Sequence, residues 1–330
     1  MLSLPNLAVA AVVLCTCLLV VHFAVPPTSR QRWVRTRVLF RALVPRRILR
    51  SRSGRLDIAA FLFSLFLLTT VLGWALISSD AFALLTQKIL TSIGGQPRHA
   101  VVSPWVASGV LTFSIYLAYE FAYWLNHWLC HRIPFLWEFH KVHHSAESLS
   151  TLTNFRVHPV DTLLFYNMAS GIVGVIAGAV SYVFGYPVNP WTLGGTNLLM
   201  FVSGWLLTYL QHSHLWMSFT GLAGKLLVSP AHHQIHHSTD PRHHNRNFGA
   251  TLAIWDWLFG TLHTPKRTRE PLRFGVDGLG YDPHGLKGAL LMPFVDAFAQ
   301  LTESSRTQSP LQTTDRALGL GRIAVRSRRP

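Results

Sequence analysis

"HKVHH" (140–144) and "HQIHH" (233–237) decide how this chain is read. Both have the form His-x-x-His-His. On a helix, positions i, i+3 and i+4 fall on one side, so each copy gathers three imidazoles. A third cluster, "HWLCH" (127–131), sets His127 and His131 at i and i+4. Imidazole is a good ligand for first-row metals. The clusters supply His127, His131, His140, His143, His144, His233, His236 and His237, and His212 of "LQHSH" (210–214) makes nine. That number exceeds the four positions of one tetrahedral zinc, so two metals are expected. No His-Glu-x-x-His occurs, which argues against a zinc protease of that motif class.

Working outward, the composition points to a membrane. The 330 residues are 49% hydrophobic and 13% charged, about half the charge usual in soluble domains. The net charge of +15 comes mostly from Arg in residues 30–55 and the last 30 residues. These arginines flank apolar segments without the aromatic interleaving of a nucleic-acid surface, so no nucleic-acid partner is expected. Attraction to anionic lipid and control of topology account for them better. Three cysteines, Cys15, Cys17 and Cys130, make no disulfide framework.

Residues 7–25 are long enough to cross a bilayer. A cleaved signal peptide is the rival reading, but no Lys or Arg precedes Arg30, and a retained span with its N-terminus outside is preferred. The arginines from Arg30 to Arg55 then mark the cytoplasmic side. Further spans are expected at 57–77 and about 104–126. Residues 160–183 and 196–213 read as a helical hairpin or a shallow re-entrant pair. Residues 286–301 are too interrupted to span and read as interfacial. The expected fold is an all-α integral membrane protein with about four to five transmembrane helices and a cytoplasm-facing, histidine-rich helical cap holding a di-metal site. Its parts would be 1–55 (first span and basic segment), 56–104 (second span and external loop), 105–265 (catalytic domain), 266–301 (interfacial segment) and 302–330 (disordered basic tail). Fourteen of the 18 histidines lie between His127 and His244, where the spans return to the cytoplasmic side. His22, His99, His263 and His284 read as ordinary interfacial residues.

Glu120, Trp124, His127 and His131 share one helix face. A carboxylate that deep in an apolar helix needs a partner, and Glu120 is expected to hydrogen-bond a metal-binding histidine from behind; solvation at the helix end is the alternative. Asp256 reads as a hydrogen-bond partner that holds the fold.

"YWLNHWLCH" (123–131), "LWEFHKVHHS" (136–145), "NFRVHPVD" (154–161), "LQHSH", "SPAHHQIHHS" (229–238) and "RNFGATLAIWDWLFGTL" (246–262) resemble, in that order, the fatty acid hydroxylase/sterol desaturase superfamily. The resemblance covers roughly residues 105–265. It implies two iron ions held by the nine histidines above, with dioxygen as co-substrate and a membrane lipid hydroxylated or desaturated. His214 stands where relatives often have Asn and is left out of the ligand set. Trp128 replaces an Arg common in relatives, which removes no ligand. Asn154 and His158 are family-typical and are placed with Glu120 and Trp124 around the site; His232, His243 and His244 are placed there or on the surface.

The chain carries no Gly-x-Gly-x-x-Gly dinucleotide fingerprint and no iron–sulfur cysteine cluster. Reducing equivalents from NAD(P)H would therefore arrive through a separate carrier, a ferredoxin or a cytochrome b5-like protein with its reductase. Arg30–Arg55 would either dock that carrier or meet the membrane surface. Hydroxylation is the simpler outcome and is preferred, with desaturation on the same site as the alternative. A histidine-rich membrane metal transporter is the rival from another class. It would place its ligands near the bilayer midplane, whereas these histidines begin where the spans end. A catalytically dead lipid-binding relative would have lost several of them.

Overall fold

The computed structural model describes residues 46–65 and 73–307. The apolar segment 7–25, the basic stretch up to residue 45, residues 66–72 of the expected second span and the tail from 308 lie outside the described residues. What is described is mainly helical, with one two-stranded antiparallel ribbon, β1 (Thr192–Leu193) and β2 (Thr196–Asn197), in which Thr192 faces Asn197.

Chain order begins with α1 (Arg46–Arg50), α2 (Arg52–Phe63) and α3 (Ser79–Gly94). The long helices are α4 (Pro104–Arg132, 29 residues) and α6 (Pro159–Phe184, 26 residues). At 1.5 Å per residue they reach about 44 and 39 Å, against a hydrocarbon core of about 30 Å. Both are long and apolar enough to cross a membrane. Pro104 sits in the first turn of α4, where a missing N–H costs nothing. The helix ends at Ile133 (φ −100°, ψ 112°), held extended by the proline that follows. Pro134 then opens α5 (Pro134–His144), which turns back against the histidine-bearing end of α4. α6 repeats the device: Pro159 starts it, the His158 ring caps it by accepting the Val160 N–H at 3.1 Å, and Gly185 at φ 73° ends it.

The stretch after the expected second span, read as an external loop, contains α3. Ser78 caps it by accepting the Ala81 N–H, and Gly95 at φ 80° closes it. It lies along α6 because Gly174 and Gly178 present no side chain there. A Cβ on Gly174 would stand 2.6 Å from Phe82 Cβ, and one on Gly178 2.8 Å from Thr86 Cβ. Small residues four apart permit this close approach of helices.

Two further segments carry detail beyond the apolar pattern. At the start of the expected second span, the first turns of α2 bury Ser53, Gly54, Leu56 and Asp57, and Asp57 pairs with Arg156. The second arm of the expected hairpin is a helical run interrupted by a π turn. It begins in β2, continues as α7 (Leu198–Ser203), passes a π turn at Gly204–Thr208 and ends in α8 (Tyr209–Gln211).

The cap adds α9 (Gly221–Leu226), α10 (Pro230–His236), α11 (Ile254–Leu258), α12 (Leu286–Leu290) and α13 (Met292–Thr307). α13 packs on α5 with Ala297 buried, while Leu291 just before it and its own Val295, Phe298 and Leu301 stay exposed. It runs to Thr307, so the first residues of the expected disordered tail are helical.

Candidate metal centre

The eight histidines singled out by spacing and His212 converge in two groups, each with its ligand atoms within 4.8 Å of one another. One holds His127, His131, His140, His144 and His236; the other holds His143, His212, His233 and His237. Each His-x-x-His-His box therefore serves both groups. On a helix, i and i+4 lie about 40° apart around the axis, whereas i+3 and i+4 lie about 100° apart. Accordingly His140 and His144 point to the five-histidine group and His143 to the other. In the second box His233 and His237 enter the four-histidine group and His236 crosses to the first. The two boxes are interleaved.

The rings meet through Nε2. In the four-histidine group, His212 Nε2 stands 3.0 Å from His143, 2.8 Å from His233 and 3.1 Å from His237. In the other, His144 Nε2 lies 3.1 Å from both His131 and His236. The Nε2 atoms of His127 and His140 are buried without any hydrogen bond. A neutral imidazole carries one ring proton, and at His127, His140, His143 and His236 that proton is engaged on Nδ1. The acceptors are Phe248 O (2.9 Å), Asp161 Oδ2 (2.8 Å), Arg156 O (3.2 Å) and Arg246 O (2.7 Å). Their Nε2 lone pairs then face inward, an arrangement a cation relieves. Two nitrogens about 2.1 Å from one ion and at right angles are about 3.0 Å apart, which matches the observed spacing. The donor set therefore fits two first-row metal ions.

Burial drives His143 down to about 3 and lowers His144, His233, His236 and His237, the neighbouring imidazoles adding to the effect in each case. These rings are uncharged at neutral pH, the state a metal ligand requires.

Three pieces of scaffold hold the rings. First, one face of α4 grips the segment after α10. Glu120 accepts from Thr251 N (2.9 Å), Thr251 Oγ1 (2.7 Å) and Leu252 N (2.8 Å), Trp124 Nε1 donates to Asp256 Oδ1 (3.2 Å), and His127 bonds Phe248 O. Glu120 thus holds a loop and bonds no histidine, a correction to its expected role. Asp256 also accepts from Phe248 N (2.9 Å), Gly249 N (2.8 Å) and Thr261 Oγ1 (2.6 Å), the fold-holding part assigned to it. Second, Asn247 is fully buried at φ 58°, and its side chain bonds His232 O and His263 O and accepts the His263 N–H. That left-handed turn lets the carbonyls on either side, Arg246 and Phe248, reach His236 and His127.

Third, Arg156 is a buried hub that the sequence reading did not single out. Its guanidinium donates to Asp57 Oδ1 (2.6 Å), Ser53 Oγ (2.9 Å), Ser53 O and Ser145 Oγ (3.1 Å) while its carbonyl holds His143. Asp161, in the first turn of α6, was missed too; it anchors His140 and also receives Asn126 Nδ2 at 3.3 Å and Cys130 Sγ at 3.6 Å. A carboxylate just after a proline-led helix start in an otherwise apolar run was the available signal.

Asn154 and His158 lie outside both groups. Asn154 Nδ2 donates to Thr208 O at 3.1 Å, and His158 caps α6 while its Nε2 bonds Leu290 O at 3.2 Å. His232 forms a capping box with Ser229 and reaches Gly224 O at 3.1 Å. His243 stacks edge-on against His263, and His244 is exposed.

Residues 112–261 match the family model described as fatty acid hydroxylase. Among curated proteins the chain is similar to ornithine lipid hydroxylase OlsE of Rhizobium tropici, 31% identical over 175 residues, 53% of this chain and 47% of that protein. It is similar to alkylglycerol monooxygenase of Xenopus tropicalis, 29% identical over 177 residues, 53% of this chain and 33% of that protein. It is also similar to a cholesterol 25-hydroxylase-like protein of Danio rerio, 30% identical over 154 residues, 44% of this chain and 53% of that protein. The chain thus spans between a third and about half of the length of these relatives. No solved structure matches it.

Proposed function

We propose that this chain, whose residues 112–261 match the fatty acid hydroxylase model, is a member of the fatty acid hydroxylase/sterol desaturase superfamily and a membrane-embedded di-iron monooxygenase that hydroxylates a lipid. The observation that carries the reading is the pair of interleaved histidine groups at the end of α4. The five-histidine group would hold one iron and the four-histidine group the other. The irons, when bound, supply activation of dioxygen for attack on an unactivated C–H bond, with electrons from NAD(P)H delivered by a separate carrier protein. Residues 105–265 form the catalytic domain in this reading. Four to five spans carry it, and the site faces the cytoplasm.

The chain's own residues set the state of the ligands. Asp161 and the carbonyls of Phe248, Arg246 and Arg156 each hold a proton on Nδ1 of the histidine they face, which fixes the tautomer and aims Nε2 inward. Glu120 and Asp256 keep the 248–256 segment closed over the rings and away from bulk water. α4 and α6 offer apolar outer surface along which a lipid chain can approach from the bilayer. Hydroxylation is favoured over desaturation because the relatives named above carry hydroxylase and monooxygenase names. Lipids from cells expressing the protein, compared with a His143→Ala, His144→Ala double variant, test this. A lipid that gains one oxygen atom only with the unaltered protein supports hydroxylation. A species that loses two hydrogens replaces it with desaturation.

A further inference from the structure

Of the nine grouped histidines, His131 alone is not fully buried. Beside it stands Trp137 of α5, half-buried, its ring centroid 5.1 Å from His131 and 5.3 Å from His144. A single indole therefore touches two histidines of the same group and also reaches solvent. The end of α4 and the segment after α10 also carry Arg132, His244 and Arg246. Arg132 is exposed and stacks its guanidinium 5.8 Å over Trp128. His244 is exposed and within electrostatic reach of His131. Arg246, whose carbonyl holds His236, has its guanidinium on Gly260 O at 3.0 Å and no carboxylate partner among the described residues. The carboxylates of segments 127–146 and 236–246 are already engaged: Glu138 by buried Lys141, and Asp240 by Arg242 at 2.6 Å.

We propose that Trp137 and the basic rim of Arg132, His244 and Arg246 form the port where an acidic one-electron carrier protein docks, and that electrons enter the centre by way of the indole. This rests on the monooxygenase reading above. The aromatic ring bridges carrier and ligands without itself being oxidised or reduced. Each docking oxidises the carrier by one electron and reduces the centre by one. Two dockings, with two protons from solvent, meet the needs of a hydroxylation in which one oxygen atom enters the C–H bond and the other leaves as water. The lipid chain would approach along the exposed apolar residues of α4 and α6, among them Val110, Phe113, Val175 and Val183. Charge complementarity at such a rim acts on encounter and salt dependence.

The test uses the full-length, iron-loaded protein in lipid nanodiscs, without dioxygen, mixed with a pre-reduced acidic plant-type ferredoxin or the soluble domain of cytochrome b5. Oxidation of the carrier is followed by stopped flow, and its affinity by surface plasmon resonance. Trp137→Leu should slow carrier oxidation at saturating carrier roughly tenfold, equal to about 1.4 kcal/mol of barrier, with iron content and reduction by dithionite unchanged. Arg132→Glu should weaken carrier affinity by roughly fivefold and flatten its salt dependence. The proposal is overturned if Trp137→Leu, with its iron intact, oxidises both carriers at the unaltered rate. It is also overturned if dithionite reduces the wild type and neither carrier does. Failure of the monooxygenase reading shows separately, as no hydroxylated lipid from the wild type with any reductant.

Discussion

The five-histidine group takes two members from α4, two from α5 and one from α10, whereas the four-histidine group takes one from α5, His233 from α10, His237 from the residue after α10 and His212 from the residue after α8. Behind the first group, His127, His140 and His236 each donate Nδ1–H to a fixed acceptor, one of them the carboxylate of Asp161. Behind the second, only His143 does so, while Nδ1 of His212, His233 and His237 is buried without a partner. One group draws on α4 and is anchored from behind; the other takes His212 and His237 from the residues after α8 and α10 and leans on Arg156. Ligand number and ligand anchoring thus rise together, and the less anchored group is the one expected to release its metal first.

Removing ligands is the strongest way to break the comparison. His140→Ala should lose the metal of the five-histidine group and His237→Ala that of the four-histidine group, each abolishing lipid oxidation; elemental analysis of purified variants checks both. Acid acts on both groups together. Burial holds these rings below their ordinary value of 6.5, so the unfolded chain binds protons first and the folded state loses stability as pH falls. The metal-free protein should be fully stable above pH 6.5 and lose stability down towards about 3, where His143 protonates. A urea midpoint that does not fall across that window would contradict it.

Smaller effects sharpen the contrast. Asp57→Asn leaves Arg156 buried without its counter-charge, a change worth about 3–5 kcal/mol. It should lower thermal stability and loosen the metal next to His143 more than the other. Asp161→Asn should weaken metal binding in the five-histidine group by about 10–100-fold while sparing the four-histidine group, read by competition with a chelator. His158→Ala should cost about 1 kcal/mol of stability, the worth of a helix cap, with metal content unchanged.

The long helices and the histidine set were legible in the sequence because both rest on local periodicity. The face of α4 bearing Glu120, Trp124 and His127 was legible too, but its partner was not. Thr251, Asp256 and Phe248 lie more than a hundred positions away, and period alone does not say what a face meets. The interleaving of the two boxes follows from helix angles once α5 and α10 oppose each other, which is a tertiary fact. α3 was hidden for another reason. It is shorter than a full span, so a search for apolar runs of bilayer length passed over Ser78, Gly95 and the Gly174–Gly178 pair that define it.

The central claim is that two differently held irons act together on a lipid. Iron per chain, measured on protein purified in nanodiscs alongside His237→Ala and His140→Ala, tests it most directly. The account predicts two irons in the unaltered protein, with His237→Ala keeping the tightly anchored iron and His140→Ala keeping the other. One iron per chain in the unaltered protein, or loss of both irons at equal affinity in either variant, would contradict it.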